Sequence, residues 1–270
     1  MYPVLFDLGP FVISSFGLMM VLAFLSCNYL LQIEVKACGY DEKIAEDITF
    51  RAAIGGIIGA KLYYLIESIP TGGAKDNIQG LIDIIAGIFT LSIDRLAFGI
   101  QNFGAGLVFL GGLMGGFISV SLYLKKNKIP WLKAADWIAP LLLIGHGIGR
   151  IGCFLVGDCY GLPTDLPWGC KFPNGLPPTH IPVHPTQLYE MLSYFFIYLY
   201  LRYRKTKQYF PGEIMYEYLF LAGLTRLLVE FIRTNSKYLF GLSGAQYISI
   251  LMMIIGTYFM WKNRKISNNE

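Results

Sequence analysis

Apolar stretches of about 20 residues, the length at which an α-helix crosses a bilayer, recur along this chain and leave it few possible folds. Runs near 12 to 33, 48 to 66, 104 to 124, 135 to 157, 187 to 203, 214 to 233 and 244 to 262 are each bounded by charges, proline or glycine. They predict an all-α, polytopic membrane protein of about seven transmembrane helices. A mean hydropathy of +0.50 with only 15% charged residues excludes an ordinary soluble domain of this length. A further piece, 81 to 91, is too short to span comfortably and is followed by Asp94 and Arg95, as in a re-entrant or interfacial helix. The reading is therefore a single integral membrane domain over 1–270, with an extracytoplasmic arm or re-entrant segment at 67–103 and a small extracytoplasmic head loop at 158–183. Residues 1 to 7 lack the basic region of a cleavable signal peptide, so the first run is expected to be retained.

Basic residues orient the spans. Lys36, Lys43, Arg51, Lys125, Lys126, Lys128, Lys133, Arg202, Arg204, Lys205, Lys207, Lys262, Arg264 and Lys265 fall on one side. Only Lys75, Arg95, Lys171 and Lys237 fall on the other. By the positive-inside rule the first side is cytoplasmic, which puts the N-terminus outside and the C-terminus inside. A net charge of +4 spread in this way is an orientation signal and predicts no nucleic-acid partner.

The remaining basic residues, Lys61, Arg150, Arg226 and Arg233, lie within proposed spans. A cation near the bilayer centre costs about 2.5 to 3.5 kcal/mol, so such residues face the bundle interior and meet an anion. Glu67, Asp158, Glu190 and Glu230 lie at similar depth. A structural ion pair is one reading for Lys61 with Glu67. For the arginines the count is against it, because Arg226, Glu230 and Arg233 stand at i, i+4 and i+7 on one helical face and one acid cannot neutralise two guanidiniums. Arg150 adds another. A surplus of planar, permanently charged forks inside a membrane suits a phospholipid head group.

Around Arg150 runs His146-Gly147-Ile148-Gly149-Arg150-Ile151-Gly152-Cys153-Phe154-Leu155-Val156-Gly157-Asp158-Cys159-Tyr160-Gly161. Gly145, Gly149 and Gly152 form a stripe for close helix packing. His146 shares a face with Arg150; for a lone histidine a hydrogen-bonded structural role is the first expectation, site support the second. Gly157, Asp158 and Gly161 fall where the helix ends and turns. A second block, His184-Pro185-Thr186-Gln187-Leu188-Tyr189-Glu190, starts a helix at Pro185. That helix start does not account for His184, Gln187, Tyr189 and Glu190 gathered at a membrane boundary. The loop between these blocks, rich in proline and glycine and containing Trp168, Pro173, Pro177 and Pro178, is long enough to serve function. Five cysteines without CxxC spacing predict free thiols and no zinc or redox site, with a Cys159–Cys170 disulfide left open.

On these residues the chain resembles the prolipoprotein diacylglyceryl transferases. Gly149-Arg150-Ile151-Gly152 with Phe154, Gly157, Asp158 and Gly161 matches the family signature, and His184-Pro185 with Gln187 to Glu190, then Arg226 with Glu230-Phe231 and Arg233, match two further blocks in order. Gly59-Ala60-Lys61-Leu62 with Tyr64, and Gly111-Gly112-Leu113, are weaker matches. The resemblance implies a multi-pass bacterial inner-membrane enzyme without cofactor or metal. Such an enzyme moves the diacylglyceryl group of phosphatidylglycerol to the lipobox cysteine at the signal peptide of a preprolipoprotein, releasing glycerol phosphate. It implies phospholipid binding by Arg150, Arg226, Gly157 and Gly161, and catalysis by Arg226 with Asp158 or His184 as base. His146, Gln187, Tyr189, Glu190, Glu230 and Arg233 would support the site. Membrane lipids surround it. The chain departs from the family at Leu110, where many members carry histidine, at Phe16 for tyrosine and at Cys153 for asparagine. Those departures keep open a paralogue with another acceptor and a non-enzymatic phospholipid-binding protein.

Overall fold

A computed structural model describes residues 2–7, 12–70, 72–104 and 106–267. The elements are β1 (Val4–Asp7), β2 (Val12–Ser14), α1 (Ser15–Ala37), α2 (Lys43–Glu67), α3 (Gly73–Thr90), α4 (Ile93–Gly104), α5 (Phe109–Lys126), α6 (Trp131–Val156), β3 (Cys170–Phe172), β4 (Thr179–Val183), α7 (Thr186–Lys205), α8 (Glu213–Glu230) and α9 (Gly244–Ser267). The protein is mostly helical, and the short strands qualify the all-α expectation. Each long apolar run became a helix, with ends shifted by a few residues where capping decides. Ser14, whose Oγ accepts from the Gly17 N–H at 3.0 Å, starts α1, and Gly157, at φ +77°, stops α6.

Three helices, Ser15–Ala37, Trp131–Val156 and Gly244–Lys265, are long and apolar enough to cross a membrane by length and composition, and the pair α4 and α5, bent by 88°, would add a fourth. The expected count was about seven. Charged and polar residues dilute the apolar content of α2, α7 and α8, and in α7 and α8 Glu190, Glu213, Glu217 and Glu230 are buried. The N- and C-terminal residues that the charge pattern assigned to opposite sides, Met1 and 268–270, lie outside the described residues.

The chain falls into two compact units, one of residues 7–12 and 41–129 and one of the remainder. In the smaller, α2 and α5 touch backbone to backbone: a Cβ on Gly59 would stand 2.3 Å from the Gly111 carbonyl oxygen, and one on Gly115 2.2 Å from that of Gly55. No side chain fits there, so these glycines set the interhelix distance. The expected short segment at 81 to 91 is instead part of a helical pair, α3 and α4. Their shared face carries Gly80, Gly87 and Gly99, while Ile78, Ile85, Ile88, Phe89 and Phe98 are exposed. Lys61 donates to Asn77 Oδ1 and to the Phe103 carbonyl and lies 4.6 Å from the Phe103 ring centroid. Polar and aromatic partners on α3 and α4 therefore hold the ammonium that the sequence set beside Glu67.

In the larger unit α6 is central, packed by α1, α7 and α8. Of its most apolar window 39% is buried, against 11% for α1, so α1 presents apolar surface outward while α6 fills the middle. Ala139, Leu143, Tyr194, Leu201, Ile214, Tyr218 and Ala222 form the core between α6, α7 and α8. At one end Asp136 accepts the N–H groups of Gly212 (2.6 Å) and Met215 (2.9 Å), satisfying donors at the start of α8. Beside it Glu213 accepts from the Tyr209 N–H and from Arg204 and Arg264, Glu217 from Arg204, and Glu34 pairs with Arg202 and Lys205.

Candidate active site

At the other end of α6, α7 and α8 lies a second charged cluster. Glu190, in the first turns of α7, is completely buried and takes Arg150 of α6 and Arg226 of α8, with Arg233 at 3.8 Å. Glu230, 2% exposed, takes Arg226 at 3.0 Å, and Arg233 approaches it at 3.9 Å. Helical spacing in α8 places Arg226 beside Glu230, whereas Arg233, expected on the same helical face, lies past the helix end in a turn that bridges to Gly161 and reaches the cluster from there. The third helix supplies what the spacing could not show: one carboxylate, Glu190, gathers all three arginines.

Three guanidiniums contact two carboxylates, Glu190 and Glu230, and a third carboxylate, Asp158, lies in the adjoining turn beside Cys153 and Cys159. The side chains of Arg150 and Arg226 are each 22% exposed, against 6% for Arg233; the first two can reach a ligand while the third is enclosed. Arg233 Nε is buried without a hydrogen-bond acceptor, and Glu190 Oε2 meets Arg150 as an ion contact without hydrogen-bond geometry. Unsatisfied buried donors carry a large desolvation cost, and an anionic ligand oxygen would relieve it.

Around the cluster the loop after α6 folds back on itself. Asp158 N–H and Gly157 N–H both return to the Cys153 carbonyl, at 3.1 and 2.9 Å, and Cys159 takes φ +60°, a left-handed conformation that costs a non-glycine residue about 1 kcal/mol or more. Thr186 Oγ1 and Gln187 Nε2 fasten this turn to α7 through the carbonyls of Cys159 and Asp158. Gly161 sits where a Cβ would meet the Ile232 carbonyl at 2.5 Å and bridges to Arg233. Gly157 and Gly161, expected at the phospholipid, therefore serve first as a helix stop and as a close backbone crossing beside Arg233.

Asp158 Oδ1 is buried and unpartnered. The side chains of Cys153, Asp158 and Cys159 bring their ligand atoms within 4.8 Å of one another, and Arg150 Nη1 lies 3.9 Å from Cys153 Sγ. All five cysteines are free thiols, so the Cys159–Cys170 disulfide left open by the sequence is not formed; the neighbour of Cys159 is Cys153, and Cys170 donates to the Trp168 carbonyl. The hydrogen bond from Cys153, joined by the charge of Arg233 and opposed by burial, lowers the Cys159 thiol from 9.0 to about 6.

His184 stands apart. Its Nδ1 meets Tyr189 Oη at 3.2 Å, and that hydroxyl accepts from exposed Trp168 Nε1 at 2.7 Å; the ring is tied to the loop ribbon of β3 and β4. His146 is exposed, with its ring 5.7 Å from Tyr194, and has no hydrogen bond among the described residues. Leu110 and Phe16, at the departures from the family, are 45% and 40% exposed. Two site residues escaped the sequence reading. Asn235 Nδ2 and Ser243 Oγ donate to Glu230 Oε1 at 2.6 and 2.7 Å. They come from the segment between α8 and α9, and no spacing rule marks them.

The described residues form a mostly helical protein with apolar helices suited to a membrane and a cluster of arginines on buried carboxylates. A profile of the family described as prolipoprotein diacylglyceryl transferase matches residues 3–262, and the chain belongs to that family. It is 36% identical over 260 residues to a phosphatidylglycerol-prolipoprotein diacylglyceryl transferase of Clostridium tetani, covering 96% of both chains. The second such transferase of Clostridium perfringens is 32% identical, over 90% of this chain and 88% of that one. One from Vibrio atlanticus is 31% identical, over 96% and 89%.

Proposed function

We propose that this protein transfers the diacylglyceryl group of phosphatidylglycerol to the lipobox cysteine of a preprolipoprotein. The observation that carries the proposal is the pair of partly exposed guanidiniums, Arg150 and Arg226, gathered on buried Glu190, with Arg226 also on buried Glu230. Arg150 and Arg226 take the phosphate oxygens of the lipid. The substrate sulfur bonds to the glycerol carbon as that carbon's bond to the phosphate oxygen breaks. Glycerol phosphate leaves with the electron pair, its charge held by the same two arginines. A thiol proton must leave first. Asp158, with its unpartnered oxygen, is the base; His184, bound to Tyr189, is the runner-up and points to the loop through which the signal peptide approaches.

Gly157 and Gly161 let backbone come close to the lipid phosphate, while His146, Gln187, Tyr189 and Arg233 hold the pocket's shape. The two compact units act as one integral membrane enzyme of about seven spans in the bacterial inner membrane. Its N-terminus is extracytoplasmic, its C-terminus cytoplasmic, and the 158–183 loop forms a head on the outer side. The support is the distribution of lysine and arginine. Leu110, in place of the family's usual histidine, favours a second reading in which the same lipid group goes to another acceptor.

The test is the purified protein in phosphatidylglycerol liposomes with a lipobox peptide, following thioether-lipidated peptide and released glycerol phosphate, with Arg150→Ala as control. Both products, lost in the variant, establish the reading. Lipid binding with neither product, beside an active relative, overturns it.

A further inference from the structure

The turn after α6 holds a group of ligands that phospholipid transfer does not use. Cys153 Sγ, Cys159 Sγ and an Asp158 carboxylate oxygen lie within 4.8 Å of one another. A tetrahedral zinc with bonds of about 2.3 Å to sulfur sets its sulfur ligands about 3.8 Å apart, so small side-chain rotations bring these atoms into range. The residues are six positions apart at most. They meet because Gly157 and Cys159 both take left-handed backbone, folding the turn over Cys153. Cys159 has no steric freedom to make that conformation cheap, and such strain gathers at functional sites. Asp158 Oδ1 is buried with no hydrogen-bond partner, as expected of an atom that accepts from something other than protein.

We infer that Cys153, Asp158 and Cys159 form a binding site for a thiophilic divalent cation of the zinc class. Two thiolates and a carboxylate around such an ion leave one negative charge. Arg150, 3.9 Å from Cys153 Sγ, offsets that charge as an outer-shell partner. The fourth coordination position remains for water or an anion. Binding also removes Asp158 from the chemistry, so the cation inhibits lipid transfer; this consequence rests on Asp158 as the base, whereas the binding does not.

The experiment titrates Co2+ into the full-length protein in detergent, kept reduced with a phosphine, and follows the near-ultraviolet thiolate-to-cobalt charge-transfer band. The expected result is a band that saturates stoichiometrically, is displaced by Zn2+, and is lost in both Cys153→Ser and Cys159→Ser while Cys170→Ser keeps it. In case a variant misfolds, the wild-type protein carries a second measurement: Zn2+ should protect Cys153 and Cys159, and not Cys170, from alkylation mapped by mass spectrometry. Absence of the band with both thiols free to alkylate overturns the site, as does a band that survives in folded Cys159→Ser. A band with no inhibition of lipid transfer leaves the binding site standing and removes Asp158 from the role of base.

Discussion

The two charged ends of the α6, α7 and α8 bundle are built from the same residue types and behave differently. At one end Glu34, Asp136, Glu213 and Glu217 face Arg202, Arg204, Lys205 and Arg264 in equal number, and backbone N–H groups at and before the start of α8 add to Asp136 and Glu213, although Glu217 Oε2 is buried without a hydrogen bond among the described residues. At the other, Arg150, Arg226 and Arg233 outnumber the two carboxylates they contact, Glu190 and Glu230, and Arg233 Nε and Asp158 Oδ1 lack hydrogen-bond partners among the described residues. Buried charge that is balanced holds helices together. Where buried guanidiniums outnumber the carboxylates they touch, an added anion can complete them.

The largest expected break in this comparison comes from the unbalanced end. Arg150→Ala and Arg226→Ala should each lower lipid transfer by about 100-fold or more, read as lipidated peptide per folded enzyme. Arg226→Lys should restore only part, because the ammonium loses the bidentate fork. Transfer that survives either alanine would make this cluster structural, like its counterpart. At the balanced end Glu213→Ala should do the opposite. It leaves Arg264, which is half exposed, without that carboxylate and Arg204 with Glu217 alone, and should destabilise the fold by about 1 to 3 kcal/mol, read by thermal unfolding, while the folded fraction keeps its turnover.

A smaller effect sharpens the boundary between the two. Ser243→Ala removes one hydrogen bond to charged Glu230, worth about 1.5 to 3 kcal/mol. If Glu230 positions Arg226, the loss appears as lower turnover with little change in lipid affinity, and Ser243→Thr restores it. A purely structural Ser243 would move only the unfolding temperature.

The smallest concerns Cys159. Its folded-state value of about 6 lies below the 9.0 of an ordinary thiol, so its stabilising contribution is complete above pH 9 and fades as pH falls through 6. Alkylation of Cys159 in chelator-treated protein should rise with a midpoint near pH 6, and Cys153→Ala, which removes the donor, should move it upward. A midpoint near 9 in the unaltered protein would show that Cys153 and Arg233 do not act on this thiol.

Sequence periodicity placed the helices because lipid-length apolar runs have one cheap solution, a helix that satisfies its own backbone. It also put Arg226 and Glu230 on one face, since that relation is local to α8, but not Arg233, which follows the end of that helix. It could not read the pairing of α3 with α4 through Gly80, Gly87 and Gly99, or the contacts of Lys61 with Asn77 of α3 and Phe103 of α4. Neither could it find Asn235 and Ser243.

What the sequence by itself determined was helical class, the positions of long apolar helices, and the residue types of the site with their family. Only the tertiary structure decided that Glu190 of α7 would collect Arg150 from α6, Arg226 from α8 and Arg233 from the turn after α8, and that Cys153 and Cys159 would meet around Asp158. Local spacing reports neighbours along one helix. Charge balance in a buried cluster depends on which side chains three helices and a left-handed turn bring within a few ångströms, and that is a property of packing.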